Sequence, residues 1–331
     1  MPLQDVHVTI NVKYPAPRIG LGRPVIFTQK TGEETYKEYT TLTGLAVDYP
    51  KGTPEHDKAA TIFNQKARPD IVAVATYDTA IEDSLELFYG RAWHFALVAG
   101  DVASEQLALA TFLNDKDFKI AALQVKDDAG REALKGKKRT IIFDHDVEGE
   151  HLDAAAVGAL ASLPVGSITW KFHELRNVTP RHLDETELSA IELDNAIAYV
   201  MKGGGGQLSE GKLANGEYID VVHGQDWVKA DMENEISYAL AQAAKFQTKL
   251  PYDGRGIGVI RAAATTTLER GFNNGIIALT EDGAKDYTIN TASRAESDPQ
   301  DRNERIYSGL SFDFGLAGAI HEVRVLGAIN I

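Results

Sequence analysis

A chain of 331 residues, 44% hydrophobic and 25% charged, is long enough for one large or two ordinary domains with an ample core. Its formal net charge of −14 repels nucleic-acid phosphates and anionic membrane surfaces, and no run approaches the ~20 apolar residues that span a bilayer. The absence of cysteine removes disulfides, thiolate nucleophiles and thiolate zinc sites together.

The opening residues lack a basic-then-apolar signal segment, so the protein is expected to fold on the side of the membrane where it is made. In 5–13, Val6, Val8, Ile10 and Val12 alternate with polar residues, the period of a strand with one apolar face. Pro15, Pro17, Gly20 and Gly22 then break the pattern. Residues 1–20 therefore read as an N-terminal strand arm with a hinge.

Pro24-Val25-Ile26-Phe27 begins something new, and the middle of the chain alternates. Apolar strand-like runs fall at 71–76, 94–99, 120–125, 140–143 and 168–172, with helical patterns at 79–89, 103–114, 129–134 and 153–162. Continuous apolar strands separated by amphipathic helices predict an α/β domain over 21–165, a mainly parallel sheet covered on both faces. From about residue 177 the pattern turns mixed. Helices are predicted at 184–198, 225–245 and 255–273, the last two divided by Leu250-Pro251-Tyr252-Asp253-Gly254. Strand-like pieces fall at 218–222, 275–279 and 309–315, so this C-terminal region reads as α+β.

The chain ends as it began. Val323, Val325, Gly327, Ile329 and Ile331 alternate with Arg324, Leu326, Ala328 and Asn330. A lone strand exposes unpaired N–H and C=O groups and one apolar stripe, so it must join a sheet. That sheet belongs either to its own domain or to a neighbouring copy, and the pattern alone favours the first.

Candidate chemistry is thin. Asp144-His145-Asp146-Val147-Glu148-Gly149-Glu150-His151-Leu152-Asp153 concentrates oxygen and imidazole donors after a predicted strand, and a metal-dependent hydrolase built on it is the alternative function. Its spacing matches no metal motif, because His145 and His151 are six apart and share no helical face. Gly203-Gly204-Gly205-Gly206 lacks the Gly-Lys-Ser/Thr ending of a phosphate loop and reads as a flexible loop. Gly254-Arg255-Gly256-Ile257-Gly258 has no strand close before it, as a dinucleotide fingerprint requires, and reads as a tight turn with close packing. There is no Gly-x-Ser-x-Gly elbow. Trp93, Trp170 and Trp227 lie beside apolar runs and read as core or interface. No catalytic, cofactor-binding or metal-binding residue is assigned.

Six strings in order resemble the C-terminal region of the contractile phage tail sheath proteins. They are Gly166–Phe172, Asn177-Val178-Thr179-Pro180, 195–200, 216–222 with Asp226-Trp227-Val228, Leu250–Asp253 before a helix with Asn274-Gly275-Ile276-Ile277-Ala278, and Ser311–Phe314 through His321. Residues 1–165 resemble the family in architecture only. The resemblance implies a conserved α+β domain over 166–318 and a C-terminal strand arm over 319–331. It implies a non-enzymatic subunit, without cofactor, that stacks in six-subunit rings around a tail tube. Contraction of the stack drives the tube through a target envelope. Implied partners are neighbouring sheath subunits, the tube protein, and baseplate and terminator proteins, with no direct nucleic-acid contact or membrane insertion. The implied location is the virion tail, after assembly in host cytoplasm. With this family in view the arms, Val6, Val8, Ile10 and Val12 at one end and Val323, Val325, Ile329 and Ile331 at the other, are expected to complete sheets in neighbouring subunits. The chain is short for the family, so optional outer domains are expected to be small or missing.

Overall fold

The computed structural model describes residues 21–323. The apolar runs form one eight-stranded sheet from β1 (Pro24–Gln29), β2 (Tyr36–Tyr39), β3 (Val72–Tyr77), β4 (Phe95–Val98), β5 (Ile120–Val125), β6 (Thr140–Asp144), β7 (Ala196–Lys202) and β8 (Gly205–Leu208). The spatial order is β2-β3-β1-β4-β5-β6-β7-β8. Strands β3, β1, β4, β5, β6 and β7 run parallel, and β2 and β8 close the two edges antiparallel. The α/β layer expected from the alternation is present.

Its strands read as unbroken apolar runs because both faces are covered. Ile26, Val74, Leu97, Ala122, Phe143 and Ile197 point to one face, where α2 (Pro54–Phe63) and α6 (Leu152–Leu160) pack after the short α1 (Leu42–Leu45). Val25, Ala75, Val98, Leu123, Ile142 and Ala198 point to the other, under α3 (Ile81–Phe88), α4 (Ala103–Lys116), α5 (Asp128–Leu134) and α7 (Glu185–Leu193). Each helix starts where its residues allow. Thr53, Asp127 and Asp184 cap α2, α5 and α7 through side-chain oxygens, the last in a full capping box with Glu187. Helix α6 is buried along its whole length, and Gly158 lets α2 come close: a Cβ there would stand 2.7 Å from Ile62 Cα. Across this contact Lys58 and Asp153 form an ion pair with both side chains buried.

The second unit is built on two long helices, α8 (Ile219–Lys245) and α9 (Gly254–Asn273), packed on each other. With 27 residues, α8 is about 40 Å long. A small antiparallel sheet of β9 (Tyr287–Thr291) and β10 (Leu310–Phe314) rests on them, with the short α10 (Pro299–Glu304) in the connection. Val228, Met232, Ile236, Ala264, Leu268, Ile276 and Ile277 form this unit's core. Among the described residues no helix is long and apolar enough to cross a membrane.

Several expectations need correction. Residues 168–172 form no strand, because Trp170 is buried against Phe95 and Phe172 adopts φ 73, which turns the backbone. The helix expected at 184–198 stops at Leu193; left-handed Asn195 (φ 56) ends it, and Ala196 begins β7 beside β6. Residues 219–222 are the first turn of α8, since Ile219, Val222, His223 and Asp226 share one buried helical face. At 275–279 only isolated bridges form, Ile277 to Leu316 and Leu279 to Lys285. Gly203 and Gly204 supply the two positive φ angles of the tight β7–β8 hairpin turn. Strands β7 and β8 extend the large sheet, so the expected boundary at 165/166 falls inside its layer.

The Lys58–Asp153 pair sets a stability test. Replacing Lys58 by Met leaves a buried carboxylate unpaired and is expected to cost about 3–5 kcal/mol of unfolding free energy in urea. Adding Asp153→Leu is expected to recover most of it; a Lys58→Met protein as stable as wild type would show that the pair is not buried in solution.

Candidate functional site

The acidic and imidazole run after β6 does not converge on a centre. Asp144 is held between Arg131 and Arg181, and Arg181 also reaches Asp146 at 3.1 Å. His145 Nε2 lies 2.9 Å from Glu150, whose carboxylate also accepts from the Thr179 backbone N–H at 2.7 Å and its hydroxyl at 2.6 Å. Those hydrogen bonds hold the Glu150 carboxyl below its ordinary range against the opposing effect of burial. Asp153 is taken by Lys58. The donors of the proposed metal set are thus dispersed among arginine, lysine and threonine partners. Among the described residues, no group of three or more His, Asp or Glu side chains is arranged to hold a metal ion. The run named for the hydrolase alternative is therefore not gathered at one point among the described residues. Likewise, Gly254–Gly258 opens α9, where a Cβ on Gly256 would lie 2.0 Å from the Pro251 carbonyl oxygen; the glycine serves close packing.

A denser cluster was not foreseen. His94, Lys119 and Arg139 stand directly before β4, β5 and β6, and all three are buried at the N-terminal edge of the sheet. Asp226, on the buried face of α8, comes up beneath them. Its Oδ2 accepts from Arg139 Nη1 at 2.8 Å and lies 3.1 Å from His94 Nε2. Arg139 also bonds the Asp117 carboxylate at 2.9 Å and the carbonyl oxygens of Asp117 and Phe118. His223, one turn before Asp226, stacks on His94 with ring centroids 5.1 Å apart and donates from Nε2 to the Leu21 carbonyl at 2.7 Å. Lys119 donates to the Arg91 carbonyl at 2.8 Å and lies 3.6 Å from the Trp93 ring centroid. Burial pushes Asp226 up to about 6 and His223 down to about 3, and drives His94 well below its ordinary value and Lys119 to about 6. These groups lock α8, and with it the second unit, under the sheet. The sequence signal was present as three polar residues each just ahead of an apolar strand.

What the second unit carries is a two-stranded sheet. Tyr287 and Ile289 of β9 and Leu310, Phe312 and Phe314 of β10 pack partly buried on the α8–α9 core, while Thr288, Asn290, Ser311 and Asp313 face solvent. Register is set by pairs such as Ile289 with Phe312 and Tyr287 with Phe314. Among the described residues the sheet has two strands, so each has one edge without a strand partner. A two-stranded ribbon is marginal alone, and here the helices beneath stabilise it. The alternation of 309–315 was legible; that of β9, weakened by Thr288 and Asn290 between polar flanks, was missed.

Of the expected arm residues, Val6, Val8, Ile10, Val12, Val325, Ile329 and Ile331 lie outside the described residues. Val323 is described: it belongs to no strand and is 74% exposed.

No protein-family model and no curated protein sequence matches the chain. Solved structures do. A chain of the anti-feeding prophage baseplate, a six-fold symmetrised cryo-EM structure, superposes with TM-score 0.70 at 12% identity, covering 100% of this chain and 99% of that one. A sheath tail protein of Listeria innocua gives TM-score 0.56 at 10% identity, over 83% of this chain and 89% of that one. A sheath tail protein of Desulfitobacterium hafniense gives 0.53 at 8%, over 86% and 92%. The fold is that of contractile-tail sheath proteins. The superposition on the baseplate chain takes in both the large sheet and the α8–α9 unit with its two-stranded ribbon.

The basal cluster predicts acid sensitivity. For His94 and His223, whose folded values are depressed, the contribution to stability is present above the unfolded value near 6.5 and is lost as pH falls toward the folded values. Asp226, raised, works oppositely between about 6 and the unfolded value near 3.9. Lys119, depressed, already loses stability as pH falls toward 6. Two imidazoles against one carboxyl leave a net uptake of about one proton on unfolding, or about 1.4 kcal/mol lost per pH unit between 6 and 4. Urea unfolding at pH 6, 5 and 4 measures this slope. The double variant His94→Gln/His223→Gln leaves the Asp226 contribution alone and is expected to reverse the slope's sign, and an unchanged slope would place the titration elsewhere.

Proposed function

We propose that this chain is a structural subunit of a contractile-tail sheath that polymerises by completing β9/β10 with strands from neighbouring copies. The observation that carries this reading is the fold shared with sheath tail proteins over 83% and 86% of the chain, together with an apolar-backed, two-stranded ribbon whose outer edges have no strand partner among the described residues. Main-chain pairing to such an edge is a recurrent mode of protein assembly.

The donors are the alternating ends of the chain. Val6, Val8, Ile10 and Val12, and Val323, Val325, Ile329 and Ile331, each present one apolar face. Seated on the ribbon, each side chain contributes about 1.5–3 kcal/mol when fully buried. Backbone hydrogen bonding tolerates many side chains and many orientations of the attached body. Subunits can therefore rotate and repack while the strand links persist, a rigid-body transition between two packings. Linking each copy to several neighbours raises effective concentration, so modest contacts suffice.

In this reading the copies stack in six-subunit rings around a tail tube, with baseplate and terminator proteins at the ends. Contraction drives the tube through a target envelope. The protein acts in the virion tail and is assembled beforehand in host cytoplasm. Its organisation is an N-terminal arm over 1–20, sheet and helix bodies over 21–318, and a C-terminal arm over 319–331.

Electron microscopy of purified protein is expected to show rings or tubes. Deleting 324–331 is expected to abolish them while leaving the thermal midpoint within about 2 °C of wild type, since surface changes outside the core cost little. Long tubes from the truncated protein would defeat the strand-donation reading.

A further inference from the structure

The last described residues hold a feature that strand donation does not use. His321 is inserted into a socket on the chain's own body, with only 10% of its side chain exposed, while Ile320 and Val323 beside it are 79% and 74% exposed. Its Nε2 lies 2.6 Å from the Thr169 hydroxyl, across 152 residues of sequence. The ring meets Tyr218 edge-on at a centroid distance of 4.9 Å and Phe172 at 6.0 Å. Phe172 holds a left-handed backbone (φ 73), a conformation that costs a bulky residue energy and needs surrounding structure to maintain it. Here the Phe172 N–H donates to the Leu208 carbonyl at 3.0 Å, which fixes the turn that presents the ring.

We propose that this socket is a clamp: His321 pins the C-terminal segment to its own subunit, so that the chain beyond residue 323 leaves the body from a fixed point. The use of the clamp rests on the assembly reading above, but the clamp itself is a property of a single subunit. A donated strand whose root is fixed samples a small volume, which raises its effective concentration at the neighbour's ribbon. A loose root would let the same strand fold back onto β9 or β10 of its own subunit.

The charges around the socket make it sensitive to acid. Glu210, after β8, lies 3.9 Å from His321 Nδ1 but is shared with Lys171 at 2.5 Å and Lys212 at 3.7 Å. Asp220, in the first turn of α8, is the other nearby carboxylate. Nδ1 is buried without a hydrogen-bond partner, and the facing Glu210 Oε2 stands 3.9 Å away, beyond hydrogen-bond reach, so a proton added to the ring gains no direct hydrogen bond beside two lysines. Burial accordingly holds His321 below the ordinary imidazole value. By linkage the docked state is favoured above about pH 6.5 and loses its advantage as pH falls through the docked value.

The chain has no cysteine, so Val323→Cys gives a single attachment point for a nitroxide spin label. Electron paramagnetic resonance of the full-length subunit at pH 7.5 is expected to show a largely immobilised label. Adding His321→Ala, or separately Thr169→Val, is expected to raise the ratio of mobile to immobile label about tenfold, the effect of losing one hydrogen bond with its packing. Circular dichroism melts confirm that each variant is folded. Lowering the pH to 5 is expected to mobilise the label in the His321 protein and to do nothing further in the His321→Ala protein. A label equally mobile with and without His321, or an acid response that survives His321→Ala, overturns the clamp. Micrographs of the same unlabelled preparations separate the two readings: an intact clamp in protein that forms no tubes refutes assembly and leaves the clamp standing.

Discussion

One buried carboxylate governs how the two halves of this molecule meet. Asp226 stands on α8 beneath the starts of β4, β5 and β6, with Arg139 bonded to it at 2.8 Å and His94 at 3.1 Å. An isolated charge at that depth would cost several kcal/mol, and the guanidinium offsets it only while helix and sheet keep their present positions. The stacked His94 and His223 rings and the Arg139–Asp117 pair surround it, so sliding α8 by one turn would leave several polar groups without partners at once. Because α9, β9 and β10 pack on α8, their placement relative to the large sheet follows from this junction.

A rigid junction also fixes the two-stranded ribbon. Tyr287, Ile289, Leu310, Phe312 and Phe314 keep the ribbon flat on the α8–α9 core. Its backbone edges are therefore oriented relative to the whole body rather than free to wander. Contacts within the subunit are buried, ionic and specific in shape, and they resist rearrangement. Contacts proposed between subunits are main-chain hydrogen bonds with apolar support, which survive rotation of the bodies. In the proposed assembly, the division between these two kinds of contact lets subunits repack without coming apart. The His321 socket belongs to the first kind and lies at the root of a segment assigned to the second.

Much of the sheet layer was legible. Strands β3, β4, β5 and β6 and helices α3 to α6 follow their apolar periodicity, because a doubly covered sheet demands continuous apolar strands and amphipathic helices between them. Local pattern failed where tertiary contacts chose among permitted conformations. Ala196-Ile197-Ala198-Tyr199-Val200 suits a helix or a buried strand, and the vacant edge of β6 decided it. Tyr218–Val222 alternates as a strand does, yet burial of Ile219 and Val222 against the sheet body made it helical. Trp170 filled a core position beside Phe95 at the expense of a strand. The candidate metal cluster was legible as composition only; the arginines and the lysine that disperse it come from 13 to 95 residues away in sequence.

By itself the order of residues determined the layer architecture, the helix caps, the tight turns at glycine and the two alternating extremities. Each of these depends on neighbours within a few positions, through the 2.0 and 3.6 periods of strand and helix and the φ angles a residue accepts. Only the tertiary structure decided which strands share a sheet, which carboxylate meets which cation, and that β9 and β10 lie side by side. It also brought His321 to Thr169. Those outcomes arise between residues far apart in the chain, where packing and desolvation select one pairing from many that local pattern permits equally.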